Sequence, residues 1–214
     1  MKILGVVPAR GGSKRVPNKN IADLGGKPLI AWTIEVALAA CDKTIVTTDG
    51  ANILCVSRTY GADVLIRPPE LARDDTPAHP VIVHVVEQYP GFDCVALLQP
   101  TSPFRTVEDV KAALEIFDQN DADSVISVKA FQNDDRLFKM GHANRLRPAA
   151  EKNDLYEVNG AIYLIRTSHL LSGGDWYDGI AYGYVMPADR SLDIDTHADL
   201  DAARAMLERA SPAV

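Results

Sequence analysis

The chain has 214 residues, a formal net charge of −7, and 47% hydrophobic and 24% charged residues, the composition of a globular protein with one sizeable core. No basic excess is present to neutralise a nucleic-acid backbone, and no segment reaches the ~20 apolar residues of a membrane helix. The opening run MKILGVVPARGG is too short for a signal-peptide core, so neither nucleic acid nor membrane is an expected partner. Cys41, Cys55 and Cys94 are scattered, odd in number and without metal-ligand spacing. They read as buried structural thiols of a reducing, cytoplasmic compartment.

In chain order, Ile3 to Val7 reads as a buried strand followed by a Gly-rich loop. Pro28 to Ala40 reads as a helix with proline at its start. A strand over Thr44 to Thr48 and a helix over Asn52 to Tyr60, closed by Gly61, come next. Val64 to Ile66 is a short strand. Thr76 is placed to cap a helix that starts at Pro77 and runs to Gln88. Cys94 to Leu98 is another strand. Thr106 and Asp109 have capping-box spacing for a helix to Asp118, and Ser124 to Val128 is a strand. From Phe131 to Asp154 the chain is polar and broken, an inserted arm of a length that calls for a function or a partner. Ala161 to Arg166 returns to strand character, and Ala198 to Arg209 is the last helix, opened by Thr196 and Asp199. The alternation predicts one α/β domain over residues 1–214, a mostly parallel sheet with helices on both faces. Ligands bind such sheets at the C-terminal ends of the strands.

Three segments carry chemistry. The loop Pro8-Ala9-Arg10-Gly11-Gly12-Ser13-Lys14-Arg15-Val16-Pro17-Asn18-Lys19-Asn20 places two glycines and four cations directly after the first strand. Backbone N–H groups freed by glycine, with full charges beside them, suit a triphosphate. It is neither a Walker A loop nor a dinucleotide fingerprint, and the plainer reading is a solvated basic loop. Asp193 and Asp195 lie two apart and so share a side in extended chain. Two carboxylates with substrate phosphates suit Mg²⁺, although acids before a helix also stabilise its positive end. In Leu97-Leu98-Gln99-Pro100-Thr101-Ser102-Pro103-Phe104-Arg105 an apolar strand ends in amide, hydroxyl and guanidinium groups. These fit a polyhydroxylated ligand, with Arg105 available to a carboxylate, or simply a proline-shaped turn before the next helix. His79 and His84 have no sequence-adjacent acidic orienter and read as helix residues outside catalysis.

Together with Arg67-Pro68 before Glu70-Leu71, Asn159-Gly160-Ala161-Ile162-Tyr163 and Asp193-Ile194-Asp195-Thr196, these segments resemble the acylneuraminate cytidylyltransferase family along nearly the whole chain. The resemblance implies a Rossmann-like nucleotidyltransferase that transfers CMP from CTP to the anomeric hydroxyl of an acidic, sialic-type sugar. It implies that Arg10, Lys14 and Lys19 engage the phosphates, with Arg10 and Lys19 catalytic. Ala9, Gly11, Gly12 and Ser13 complete the nucleotide loop, and Asn20 and Arg67 hold the cytidine. Gln99, Thr101, Ser102 and Tyr163 fall to the sugar, and Asp193 and Asp195 to Mg²⁺. It also implies a homodimer built from an insertion at about 131–180. One departure is that enzymes for N-acetylneuraminate carry an arginine just before the Asn-Gly-Ala-Ile-Tyr stretch, whereas Leu155-Tyr156-Glu157-Val158 precede it here and Glu157 reverses the charge near that place. Legionaminic, pseudaminic and deaminated acids therefore stay open as substrates. Guanylyl or uridylyl transfer to a sugar 1-phosphate would use a similar sheet and loop, and a nucleotide-binding relative without catalysis would keep the same fold.

Overall fold

A computed structural model describes residues 1–13, 15–130, 137–141, 145–148 and 155–210. The first apolar run forms β1 (Ile3–Pro8). Its Leu4 and Val6 enter one core cluster and its Val7 enters another. A strand buried on both faces has no polar side to show, which is why this run is continuous rather than alternating.

A hairpin of β2 (Asp23–Leu24) and β3 (Lys27–Pro28) follows the Gly-rich loop; it turns through Gly25 and Gly26, at φ +64° and +85°. Next come α1 (Leu29–Ala40), β4 (Lys43–Thr48), α2 (Ala51–Thr59), β5 (Asp63–Ile66), α3 (Ala78–Gln88), β6 (Cys94–Leu97), α4 (Val107–Gln119) and β7 (Ser124–Ala130). Gly61 closes α2 at φ +86° as expected. The Thr106–Asp109 capping box is formed in both directions. The expected Thr76 cap is not. Pro77 stays extended at ψ 158°, α3 begins one residue later, and the Thr76 hydroxyl donates instead to the Glu70 carbonyl.

Beyond β7 lie β8 (Leu137–Met140), β9 (Leu146–Pro148), β10 (Leu155–Arg166), α5 (Thr167–Leu171), β11 (Ala181–Val185) and α6 (His197–Ala210). Within the expected arm, β8 and β9 pair with each other, and β8 pairs with the start of β10. Residues 131–136, 142–144 and 149–154 of the arm lie outside the described residues. Inside the expected 131–180 span, Leu155–Arg166 is a full strand of the main sheet.

The sheet order is β11-β7-β10-β6-β1-β4-β5. Neighbours are parallel except β10, which runs antiparallel to both β6 and β7. From β1 the chain builds outward through β4 and β5, then returns to add β6 on the other flank of β1. That reversal opens a crevice at the C-terminal ends of the strands. Side chains of α1, α2 and α4 fill one face, and α3 and α5 fill the other. Leu200 and Ala203 of α6 pack with Leu24, Leu29 and Ile194 in a third cluster. Among the described residues no helix is long and apolar enough to cross a membrane.

Candidate active site

At the crevice, the loops after β1, β5 and β6 meet the segment between β11 and α6. They enclose a cavity of about 440 Å³, lined by Arg10, Ser13, Lys19, Asn20, Arg67, Gln99, Thr101, Asp193 and Asp195, with Pro77, Ala78, Val81 and Ile82 as an apolar wall. Residues as far apart as 10 and 195 therefore share one space.

Two backbone N–H groups of the first loop are already used within the protein. The Gly11 N–H, expected to be free for an anion, donates to Asp49 Oδ1 at 2.8 Å, and the Ala9 N–H donates to the Thr47 carbonyl at 3.0 Å. Asp49 and the end of β4 have taken those donors. Gly12 has open space where a Cβ would stand, and Lys14 lies outside the described residues. Arg10 pairs with Asp74 across the mouth. Asn20, buried, donates to the Arg10 carbonyl at 3.0 Å and so holds the loop against the cavity. Arg67 is 7% exposed and donates to the carbonyls of Thr47 and Leu71, while its Nε has no partner among the described residues. Burial lowers the proton affinity of its guanidinium, and Asp49 counters this.

Opposite stand the two carboxylates. Lys19 Nζ lies 3.0 Å from Asp195 Oδ1, and Arg15 Nη1 lies 3.1 Å from Asp195 Oδ2. Crowding by protein atoms raises the Asp193 carboxyl above the ordinary range; a Thr101 hydroxyl hydrogen bond opposes the rise and the nearby Asp195 adds to it. Solvent still reaches Asp193 through the cavity mouth. At the helix start itself, Asp199 accepts from the Thr196 N–H at 2.7 Å and the Thr196 hydroxyl at 2.8 Å.

The antiparallel direction of β10 brings its middle, Asn159–Gly160, to the same edge. The register of β10 breaks between Val158 and Tyr163, and Gly160 adopts φ +76°. A Cβ there would stand 3.1 Å from Gln99 Oε1 and 3.7 Å from Asp193 Oδ2, so only glycine lets the strand approach this closely. Asn159 is buried. Its Oδ1 accepts from the Ser127 hydroxyl at 2.6 Å, and its Nδ2 donates to Ser191 Oγ at 2.9 Å.

Three expected site residues are placed elsewhere. Ser102 is fully buried, outside the cavity lining, because it sits under the proline turn rather than on its rim. Tyr163 faces the α3 side of the sheet and packs edge-on against Trp176 at 5.9 Å. Arg105, weighed as a carboxylate receptor, is 2% exposed and donates to the carbonyls of Gln99 and Ala161 and to Thr33 Oγ1. It is an internal brace. Glu157 lies 3.5 Å from Lys129 on β7, which balances its charge. His79 contacts the Gly174 carbonyl at 3.2 Å and does not line the cavity. The apolar wall of α3, Asp49, Asp74 and the Asn159 network were not legible as site features. The nearest signal for the wall was a helix start placed shortly after Arg67.

The model of the family described as cytidylyltransferase matches residues 4–209. The chain belongs to the cytidylyltransferase family. It is 34% identical over 226 residues to a CMP-N,N′-diacetyllegionaminic acid synthase from Legionella pneumophila, covering 97% of each chain. It is also 34% identical over 217 residues to an N-acylneuraminate cytidylyltransferase from Escherichia coli O18:K1:H7, covering 94% of this chain and 51% of that protein. The chain thus spans about half the length of that relative. Among solved structures, a CMP:2-keto-3-deoxy-manno-octonic acid synthetase complexed with CTP superposes with a TM-score of 0.80 at 19% identity, covering 99% of this chain and 100% of that one. That likeness shows the cytidylyltransferase fold.

Proposed function

We propose that the protein transfers CMP from CTP to the anomeric hydroxyl of a nonulosonic acid and releases pyrophosphate, as the names of its relatives describe for them. The observation that carries this reading is the meeting of Arg10, Lys19, Asn20 and Arg67 with Gln99, Thr101, Asp193 and Asp195 around one cavity. The triphosphate lies along Arg10, Ser13 and Lys19. The pyrimidine rests on Pro77, Ala78, Val81 and Ile82, with Asn20 and Arg67 at its edge. The sugar takes the side of Gln99 and Thr101.

In the transfer, the sugar hydroxyl oxygen forms a bond to the α-phosphorus and gives up its proton to water, while the bond to the bridging oxygen of pyrophosphate breaks. The chain positions the two reactants and stabilises charge rather than forming a covalent intermediate. Arg10 and Lys19 stabilise the charge that grows on the departing pyrophosphate. Two hard carboxylates facing a phosphate site fit Mg²⁺, which takes one or two carboxylates and completes its shell with phosphate oxygens and water. Among the described residues no group of three or more His, Cys, Asp or Glu stands together as a metal cage. Asp193 and Asp195 would hold it, and bound there it would polarise the α-phosphate. We extend the reading to a cytoplasmic homodimer. Tyr177, Ile180 and Val185, exposed at or near the edge strand β11, offer apolar surface for a second copy.

Pyrophosphate release with CTP, GTP and UTP across N-acetylneuraminic, legionaminic, pseudaminic and deaminated acids tests the reading. CTP is expected to support turnover far better than the others. Equal or faster release with GTP across the panel would overturn it. Sedimentation is expected to give twice the 23.2 kDa chain mass, and a fully active monomer would remove the dimer.

A further inference from the structure

The segment that carries both carboxylates leaves the sheet at the end of β11 and has few backbone ties. Between residues 191 and 195 the backbone–backbone bonds are Ser191 N–H to the Ala188 carbonyl at 3.2 Å and Ile194 N–H to the Thr101 carbonyl at 2.8 Å, and the Asp195 N–H donates to Asp199 Oδ2 at 3.0 Å. Lys19 and Arg15 hold Asp195, but these are the cations a triphosphate draws away. What stays in place is the buried Ile194 side chain, the Asn159–Ser191 bond, the Ser191 hydroxyl on the Pro187 carbonyl, the Asp195 N–H on Asp199, and a two-pronged contact at the start of the segment. Arg190 Nε donates to Asp109 Oδ2 at 3.0 Å, and its Nη2 donates to Oδ1 at 2.7 Å.

The Asp109 carboxylate is sealed from water by its own partners. Besides Arg190 it accepts from the Thr106 N–H at 2.9 Å and the Tyr184 hydroxyl at 2.7 Å. It stands in the first turn of α4, directly after the loop that carries Gln99 and Thr101. The pair therefore joins two walls of the cavity from outside it. A two-pronged guanidinium–carboxylate contact fixes orientation as well as distance, and groups that orient metal ligands set the affinity of the site.

We infer that Asp109 and Arg190 are positioning residues: their side-on pair holds the segment bearing Asp193 and Asp195 against the Gln99–Thr101 loop, and so sets the grip of those carboxylates on a divalent cation. The inference rests on the metal reading proposed above and adds the clamp behind it. Arg190→Lys keeps the charge but loses the fork. Arg190 is one-third exposed, and after the change the buried Asp109 carboxylate keeps its Thr106 and Tyr184 donors with a positive charge still nearby. Asp109→Asn is the second variant, and Tyr184→Phe is the control, which removes one bond to Asp109 and leaves both bonds from Arg190.

The test titrates Mn²⁺ into protein and CTP, follows free Mn²⁺ by electron paramagnetic resonance, and adds CTP KM at saturating metal and thermal melting. Arg190→Lys and Asp109→Asn are expected to weaken CTP-dependent Mn²⁺ retention roughly 10-fold, with CTP KM within about twofold of wild type. Tyr184→Phe is expected to retain Mn²⁺ normally. Wild-type Mn²⁺ retention in a folded Arg190→Lys protein would overturn the clamp. So would parallel loss of metal and CTP binding, or an equal loss in Tyr184→Phe, since each marks general destabilisation. A wild-type protein that retains no Mn²⁺ with CTP would overturn the metal reading, and the clamp with it.

Discussion

Lys19 Nζ donates to Asp195 Oδ1 at 3.0 Å and to the Ile194 carbonyl at 2.7 Å. A cation of the first loop is thereby seated on the carboxylate segment 176 residues further along the chain. With Arg10 paired to Asp74, the site holds its cations on internal carboxylates, which a triphosphate would replace in the proposed reading.

Lys19→Met removes the group that makes this exchange. Loss of one stabilising donor at a reacting phosphate costs roughly 10²–10³-fold in rate. The expected outcome is a fall of that size in kcat/KM for CTP, with KM for the sugar little changed, read by pyrophosphate release. A variant with wild-type kcat/KM would show that Lys19 only braces Asp195.

Asp193→Asn and Asp195→Asn keep the shape of the segment and remove a hard anionic ligand each. Turnover is expected to fall by roughly two orders of magnitude or more, with unchanged far-ultraviolet circular dichroism. Near-normal rates in both variants at limiting Mg²⁺ would leave the two residues as helix-start acids.

Gly160→Ala puts a Cβ 3.1 Å from Gln99 Oε1 on a backbone at φ +76°. The left-handed conformation alone costs about 1–2 kcal/mol for a residue with a side chain. Urea unfolding is expected to show a loss of that order. Because Gln99 must move, KM for the sugar is expected to rise while KM for CTP holds.

Arg105→Met empties the brace between β10 and the Gln99 loop and strands the carbonyls of Gln99 and Ala161. Hydrogen bonds to a charged group contribute about 1.5–3 kcal/mol each, so a loss of at least about 3 kcal/mol is expected by urea unfolding. An unaltered unfolding midpoint would contradict the brace.

Asp109 gives stability a definite pH dependence. Burial alone would raise its carboxyl, but hydrogen bonds from Arg190, Thr106 and Tyr184 outweigh it and hold the group below the usual carboxylate range. With the folded value below the unfolded one, its contribution is present above the unfolded value of about 4 and is lost as pH falls through the folded value. Asp109→Asn is expected to melt below wild type at pH 7, with the gap closing below pH ~4. A gap that stays constant into acid would remove the ionised carboxylate as its source.

The sequence by itself determined the strand and helix rhythm, the site edge of the sheet and most of the cavity lining. Buried strands must be continuous in apolar residues, and ligand loops must follow them, so Arg10, Lys19, Gln99, Asp193 and Asp195 could be named from local pattern, while Arg67 was named only by the family resemblance. Tertiary structure alone decided which polar groups still face the cavity. Asp49 captured the Gly11 N–H, Arg105 was drawn inward as a brace, and Ser102 and Tyr163 were placed away from the lining. It also decided that β10 runs antiparallel, which brings Gly160 beside Gln99 and lets Asn159 reach Ser191. The physical reason is range. Periodicity and capping act over a few residues, whereas a buried donor must find its acceptor wherever the packed sheet puts one, here 38 residues away for Gly11 and 81 for Arg190.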